Sequence, residues 1–143
     1  MSERAEVLQA AERLVAAFAR HDAAAYFAGF DPEATFIFHN HPARLESRGQ
    51  WEQLWKLWEH EHGFRILECR SSDQRVQIVS NEVAVLTHTV HTTATFDGEQ
   101  STTLERETIV FQRADRGWTA VHEHLSLHPT PPDNWSDDVE LDL

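Results

Sequence analysis

From Ala5 to Arg20 apolar residues recur at three- and four-residue spacing, with Val7, Leu8, Ala11, Leu14, Val15 and Phe18 on one stripe. That pattern predicts an amphipathic helix with one buried face. Asp22 stands at an N-cap position ahead of AAAYFAGF, and Gly29 with Asp31-Pro32 closes a short second helix. The β-branched and aromatic run ATFIFHN then reads as a strand. After the turn-rich NHPARLESRG comes WEQLWKLWEHEHG, which places Trp51, Trp55 and Trp58 at i, i+4 and i+7 with Leu54 beside them. This is a third helix presenting its indoles on one face, ended by Gly63.

The pattern then changes in kind. FRILECRSSDQRVQIVS, EVAVLTHTVHTTATF, STTLERETIVFQRAD and GWTAVHEHLSLH are long, β-branched and separated by turn signals at Ser80-Asn81, Asp97-Gly98 and Asp115 to Gly117. They predict a meander of long antiparallel strands. Helices followed by such a sheet make an α+β domain over residues 1–128, with the helices covering one face of a curved sheet and a conical pocket between the two layers. Residues 129–143, with three prolines and five acidic residues, form a separate tail. The tail reads as a mobile extension or, given Trp135 and Leu141, as a strap across a neighbouring surface.

Composition narrows the setting. A chain of 143 residues is long enough to bury a core without staples, and its one cysteine, Cys69, allows neither an internal disulfide nor a cysteine zinc cluster. The opening MSERAEVLQAAERL carries charges where a signal peptide needs an apolar run, and no stretch reaches the length of a membrane span. The expected location is the cytoplasm, away from membranes. A formal charge of −12, with Lys and Arg scattered along the chain, argues against nucleic acid as a partner. The ten histidines are the compositional anomaly.

The combination of ETIVFQRADRGW with WTAVHEHLS carries a family likeness, through Glu107, Thr108, Val110, Phe111, Trp118, His122, His124 and Ser126. It resembles the SnoaL-like branch of the nuclear transport factor 2-like (NTF2-like) superfamily, particularly the association (hub) domain type of calcium/calmodulin-dependent protein kinase II. The order of helices and FDPEATFIFHN extend the likeness over roughly residues 5 to 128. The resemblance implies a cone-shaped α+β fold, a pocket inside the cone, and a homodimer or higher homo-oligomer formed by sheet-to-sheet packing. It does not select a reaction, since the superfamily spans isomerases, dehydratases, cyclases, hydrolases and non-catalytic assembly domains. Hub domains of this type use pocket arginines for carboxylate ligands, and His88 stands where such a strand arginine is expected. HEHLS also carries part of the His-His-His-Ser-Ser run of iota-class carbonic anhydrases, which gives a lyase alternative.

Candidate chemistry follows from alternation along the last strand. Trp118, Ala120, His122, His124 and Ser126 share one face, and Thr119, Val121, Glu123, Leu125 and Leu127 the other. The first face mixes polar and aromatic groups, as a pocket wall does, and is assigned to the cone. His124, with His122, becomes the proton-transfer candidate, and Arg106 the anchor for an anion or for developing negative charge. On the preceding strand either Arg106 and Thr108 or Glu105 and Glu107 could approach the histidines, because the register is open. Tyr26, Phe30, Phe38, Trp55, Trp58, His88, Thr108, Trp118 and Ser126 are candidate pocket-wall residues. The other reading of His124 and Ser126 is that they hold the cone closed by hydrogen bonds to the covering helices.

The leading expectation is therefore a small-molecule-binding protein performing acid/base chemistry of isomerase, dehydratase or cyclase type, with no organic cofactor. A non-catalytic assembly or ligand-sensing module is the alternative from another class. A third reading places zinc, nickel, copper or iron on His39, His122 and His124. His88 and His91, three apart, fall on opposite faces of a regular strand, so at most one can join such a cluster. His60 and His62 read as solvated residues at a helix C-terminus, His21 and His128 as boundary residues, and Cys69 as a small core residue.

Overall fold

The computed structural model describes residues 1–115 and 117–129. Three helices accompany the sheet, two ahead of its first strand and the third directly after that strand. Helix α1 (Glu3–Ala19) is capped by the Ser2 hydroxyl, which accepts from the Ala5 N–H at 3.1 Å, and buries Val7, Ala10, Ala11, Leu14 and Ala17. Helix α2 (Ala23–Ala28) starts at the expected Asp22 cap. Helix α3 (Arg48–His62) runs from a Ser47 cap to Gly63, whose left-handed φ of 62° lets its N–H and that of Phe64 close the last turn. Trp51 and Trp55 are buried and Trp58 is half-buried, so the indole stripe is the inward face of this helix.

The strands are β1 (Phe30–Phe38), β2 (Arg65–Ile78), β3 (Val83–Phe96), β4 (Glu99–Ala114) and β5 (Gly117–Leu127). They form one sheet in the order β1-β5-β4-β3-β2, in which β1 runs parallel to β5 and the other pairs are antiparallel. The predicted turn at Asp97-Gly98 has positive φ at both residues, 54° and 78°, the conformation that suits a tight hairpin. Strand β1 begins earlier than ATFIFHN, and its register with β5 breaks between Phe30 and Thr35. Pro32 lies in that break, where a residue without an N–H costs no ladder bond.

The concave face of the sheet and the helices enclose the core. Trp55, 1% exposed, packs edge-on or stacked against Phe18, Tyr26, Phe27, Trp51 and Phe64. The indole N–H groups of Trp55 and Trp118 are buried with no hydrogen-bond partner among the described residues, and the Arg113 guanidinium lies 4.5 Å from the Trp118 ring. None of the described helices is long and apolar enough to cross a membrane. The acidic tail, including Trp135 and Leu141, lies outside the described residues apart from Pro129.

One irregularity decides what the cone contains. Phe111 pairs with Ala120 and Val110 with His122, so Val121 is an extra residue in β5. A bulge of this kind shifts the side-chain phase by one. Trp118 and Ala120 are buried before it, Glu123 is buried after it, and Leu125 lines the cavity. His122 is half-buried, and His124 and Ser126 are exposed.

Candidate active site

The cone holds a cavity of about 420 Å³. Its walls carry a large aromatic share, Phe18, Phe30, Phe38, Trp51, Trp58, Phe64 and Phe96. Tyr26, Glu107 and Glu123 supply polar groups at the buried end, while His39, Asn40, His41 and Glu105 line the more exposed part. Among the described residues no lysine or arginine lines it.

The carboxyls reach the cavity through strand alternation. On β4, Glu105, Glu107, Ile109 and Phe111 share a face, and Glu107 and Ile109 lie opposite Leu125 and Glu123 of β5. Glu107 and Glu123 are therefore diagonal neighbours on one face of the sheet. Both are buried, at 8% and 5% exposure. The Tyr26 hydroxyl donates to Glu123 Oε2 at 2.8 Å and accepts from Trp51 Nε1 at 3.2 Å. On the other side, His88 lies directly across from Glu107, and its Nε2 is 2.6 Å from Glu107 Oε1. His88 Nδ1 is 2.5 Å from Ser71 Oγ on β2.

Burial sets the protonation pattern. Loss of solvation lowers the His88 pKa to about 4, against a weaker upward pull from the charge of Glu123. Burial raises Glu107 to about 7, while a hydrogen bond from Glu123 holds it down and the charge of Glu105 pushes it up. Glu123 is raised well above the usual carboxylate range, first by burial and then by the charge of Glu107 and the hydrogen bond to it. Tyr26 is raised too, by burial and then by Glu123. Near neutral pH His88 is uncharged, Glu123 holds a proton, and Glu107 is close to the balance between acid and base. With His88 neutral, its Nε2–H donates to Glu107 and its Nδ1 accepts from the Ser71 hydroxyl.

A second pair stands in the more open part of the cavity, where His39 Nε2 is 2.5 Å from Glu105 Oε2. Glu105 is raised by burial, partly offset by its bond to His39 and the charge there. Cys69 also lines the cavity, but burial pushes its thiol up to about 12, against a hydrogen bond to Thr92. It is a thiol rather than a thiolate at neutral pH and is a poor nucleophile.

The expectation that the histidine face looks into the cone is corrected by the Val121 bulge. His122 pairs with Val110, His124 with Thr108 and Ser126 with Arg106, and all of these lie on the outer face of the sheet. The His122 and His124 rings are 6.3 Å apart, and His122 Nδ1 is 2.8 Å from Thr35 Oγ1. Burial, followed by the charge of His124, lowers the His122 pKa. Arg106 is exposed and does not reach the cavity, so the structure brings none of His122, His124 and Arg106 to it.

Of the wall candidates, Tyr26, Phe30, Phe38 and Trp58 line the cavity. Trp55 lies in the core beneath it, His88 stands behind Glu107, and Trp118 is buried against Arg113, while Thr108 and Ser126 face outward. The metal set is likewise divided, with His39 bonded to Glu105 at the cavity and His122 and His124 on the other face. Among the described residues no group of three or more His, Cys, Asp or Glu side chains is arranged to hold a metal ion. As the three-residue spacing predicts, His88 and His91 point to opposite faces: His88 bonds Glu107 inside, and His91 pairs with Leu104, outward of the cavity-lining Val90 and Thr92. His62 is not simply solvated, since it stacks on Phe96 at 4.4 Å and bonds Asp97. His21 bridges Glu59 and the Ile66 N–H.

Glu123 and Ser71 are the polar residues that the sequence reading passed over. In sequence Glu107 stands out as part of the family likeness and as one of two possible neighbours for the histidines, not as a buried acid. The available signal was the position of Glu105 and Glu107 on the same alternating face as Ile109 and Phe111, an apolar pair that marks the inner side of β4.

A family model for the SnoaL-like domain matches residues 7–131. No curated protein matches the chain at a significant level. Among solved structures, a calcium/calmodulin-dependent kinase II hub homology domain from Chlamydamonas reinhardtii is similar, with 24% identity, 90% of this chain and 100% of that chain covered, and a TM-score of 0.69. A ketosteroid isomerase-like protein from Erwinia carotovora atroseptica aligns at 17% identity over 90% of this chain and 98% of its own, with a TM-score of 0.75. A candidate dehydratase of the NTF2-like family from Streptomyces avermitilis aligns at 19% identity over 90% and 97%, with a TM-score of 0.72.

Proposed function

Since the chain belongs to the SnoaL-like domain family, we propose that its cone is the active site of an acid/base enzyme that moves a proton on a small, largely apolar carbonyl compound. The observation that carries this reading is the buried cluster of Tyr26, Glu123 and Glu107 at the end of an aromatic cavity. Glu107, poised near neutrality, takes a proton from the carbon beside the carbonyl. The C–H electron pair moves into the carbon–carbon bond, and the carbonyl π pair goes to oxygen as an enolate. As Glu107 gains this proton it stops accepting from Glu123, whose carboxyl proton, held in place by the Tyr26 hydroxyl, turns to the developing oxyanion. Return of the proton to a different carbon completes an isomerisation, while loss of a β-hydroxyl instead completes a dehydration.

The lining also speaks to substrate charge. Three glutamates, Glu105, Glu107 and Glu123, face the cavity, and among the described residues no Lys or Arg does. An anionic substrate would meet uncompensated negative charge as soon as Glu107 ionised, so a neutral flat molecule is the better match. This replaces the anion anchor assigned to Arg106. A ketosteroid isomerase-like protein and a candidate dehydratase among the similar folds agree in kind with this chemistry.

The test is proton exchange into a panel of neutral cyclic and aryl ketones in D2O, followed by NMR. Enzyme-dependent deuterium uptake beside the carbonyl is expected, and a His124→Ala variant should retain it in full. No uptake across the panel, or uptake that disappears with His124, would count against the assignment.

The hub homology neighbour supports a second reading, in which the fold serves assembly. The outer sheet face, with exposed Leu104 beside Arg106, His124 and Ser126, would then pack on a second copy. Light scattering that reports a homo-oligomer, together with no turnover, would favour that reading.

A further inference from the structure

The hydrogen bonds that begin at Tyr26 do not stop at the cavity. From Glu107 they continue through His88 Nε2 at 2.6 Å, across the imidazole, and from Nδ1 to Ser71 Oγ at 2.5 Å. Gln74 Nε2 donates to the same Ser71 oxygen at 2.9 Å. The path crosses from β4 through β3 to the edge strand β2 and passes from buried to exposed. The His88 side chain is fully buried, Ser71 is half-buried, and Gln74 is exposed. The register of β2 shifts between Ser72 and Arg75, and Asp73 takes a left-handed φ of 51°. That bulge breaks the edge beside Ser71 and brings Gln74 back onto its hydroxyl.

We propose that Ser71 and His88 form a proton relay connecting Glu107 with solvent at the bulged edge of β2. The proposal rests on the reading of Glu107 as the proton-transfer group and names the route by which its protonation state equilibrates with solvent. Both imidazole nitrogens contact groups that can give and receive a proton, and the bond directions agree. Gln74 donates to Ser71 Oγ, the Ser71 hydroxyl donates to Nδ1, and Nε2–H donates to the Glu107 carboxylate. For import, a water molecule gives a proton to Ser71 Oγ while the Ser71 proton passes to Nδ1 and the Nε2 proton passes to Glu107. Glu107 ends protonated, His88 ends as the other neutral tautomer, and the hydroxide left in solution is neutralised by buffer. Export reverses every transfer and restores the first tautomer. One import and one export load and unload Glu107 without a charged imidazolium or a free serine alkoxide, and the proton that enters Glu107 is the one Nε2 held.

A route on this side has a use once the cavity is filled. A flat ligand seated among Phe38, Trp51, Trp58 and Phe96 displaces water from the cavity, whereas the β2 edge stays open to solvent. Ser, His and Glu in contact also make up the residue set of a nucleophilic triad. Ser71, however, is not among the cavity-lining residues and has no substrate site in front of it.

The test needs no substrate. Protein held above neutral pH is mixed rapidly to below it, and infrared spectroscopy follows the growth of the Glu107 carboxylic acid band, assigned by its loss in Glu107→Gln. Ser71→Ala should slow this proton uptake about tenfold or more, each such factor being ~1.4 kcal/mol of transfer barrier. Ser71→Thr, which keeps the hydroxyl, should restore the rate, and main-chain amide exchange should be unchanged in both. A wild-type rate in Ser71→Ala would mean that the cavity supplies the protons and would overturn the relay. Slow uptake in Ser71→Thr as well as Ser71→Ala would also overturn it, because the hydroxyl would not be the cause. Failure to find turnover would refute the proposed reaction without touching this result.

Discussion

Glu107→Gln is expected to lower turnover in the cone by about 10²–10⁴-fold, the range for loss of one positioned acid or base. The amide keeps the shape of the carboxyl and can still accept from His88 Nε2, so the fold and the cavity should survive. It cannot take a proton from carbon near neutral pH. The loss should therefore fall on kcat, with KM little changed, because apolar binding comes from Phe38, Trp51, Trp58 and Phe96 rather than from this group. Steady-state kinetics on any ketone that exchanges in the cone supply the measurement. A KM effect with kcat intact would make Glu107 a binding residue only.

The second large effect is on stability as a function of pH, with Glu123 as its main source. Burial raises the folded-state pKa of both Glu123 and Glu107 above the ordinary carboxylate value, so the folded protein binds more protons than the unfolded chain between the two pKa values. Their stabilising contribution is fully present below the unfolded value of 4.5 and is lost as pH rises through the folded values. His88 and His122 act in the opposite sense, since their folded pKa values are lowered. Stability from them is present above the unfolded value of 6.5 and is lost as pH falls. Below about pH 6.5 the two kinds of group oppose each other, and above it the carboxyls act alone. Wild-type stability should accordingly fall from about pH 6.5 upward, by on the order of 1 kcal/mol per pH unit for each carboxyl that the folded protein still holds protonated. Urea unfolding midpoints across that range measure it. Glu123→Gln should flatten the slope, whereas an exposed control such as Glu61→Gln should leave it as in the wild type.

Much of the fold could be read from the chain because its signals are local. The Asp22 cap, Gly63 at the end of α3, the Asp97-Gly98 hairpin and the indole stripe each depend on a few neighbouring residues. The four long strands declared themselves by β-branched composition. The site was less legible for one physical reason. Period-two alternation assigns a whole strand to a face only if the ladder is unbroken, and the extra residue at Val121 reverses the assignment for everything after it. His122, His124 and Ser126 moved outward together, and Glu123 moved in. No residue in AVHEH is a glycine or another local marker of a bulge, so sequence offered nothing to place it. His88 was recognised as unusual, but its partner depended on the β3–β4 register, which only the paired strands fix. Arg106 and Glu107 could be told apart by the apolar residues that follow Glu107 on the same face, and that cue was outweighed by the histidines.

The central claim is that two carboxyls in the cone, Glu107 and Glu123, share protons near neutral pH. Glutamate side-chain carboxyl carbons labelled with ¹³C and followed by NMR across a pH titration test it directly. The predicted result is a coupled pair standing apart from the other glutamates, with one apparent pKa at about 7 and the other well above the carboxylate range. The upper step should vanish in Glu123→Gln. If Glu107 and Glu123 titrated together with the surface glutamates near the ordinary value of 4.5, the account would be contradicted.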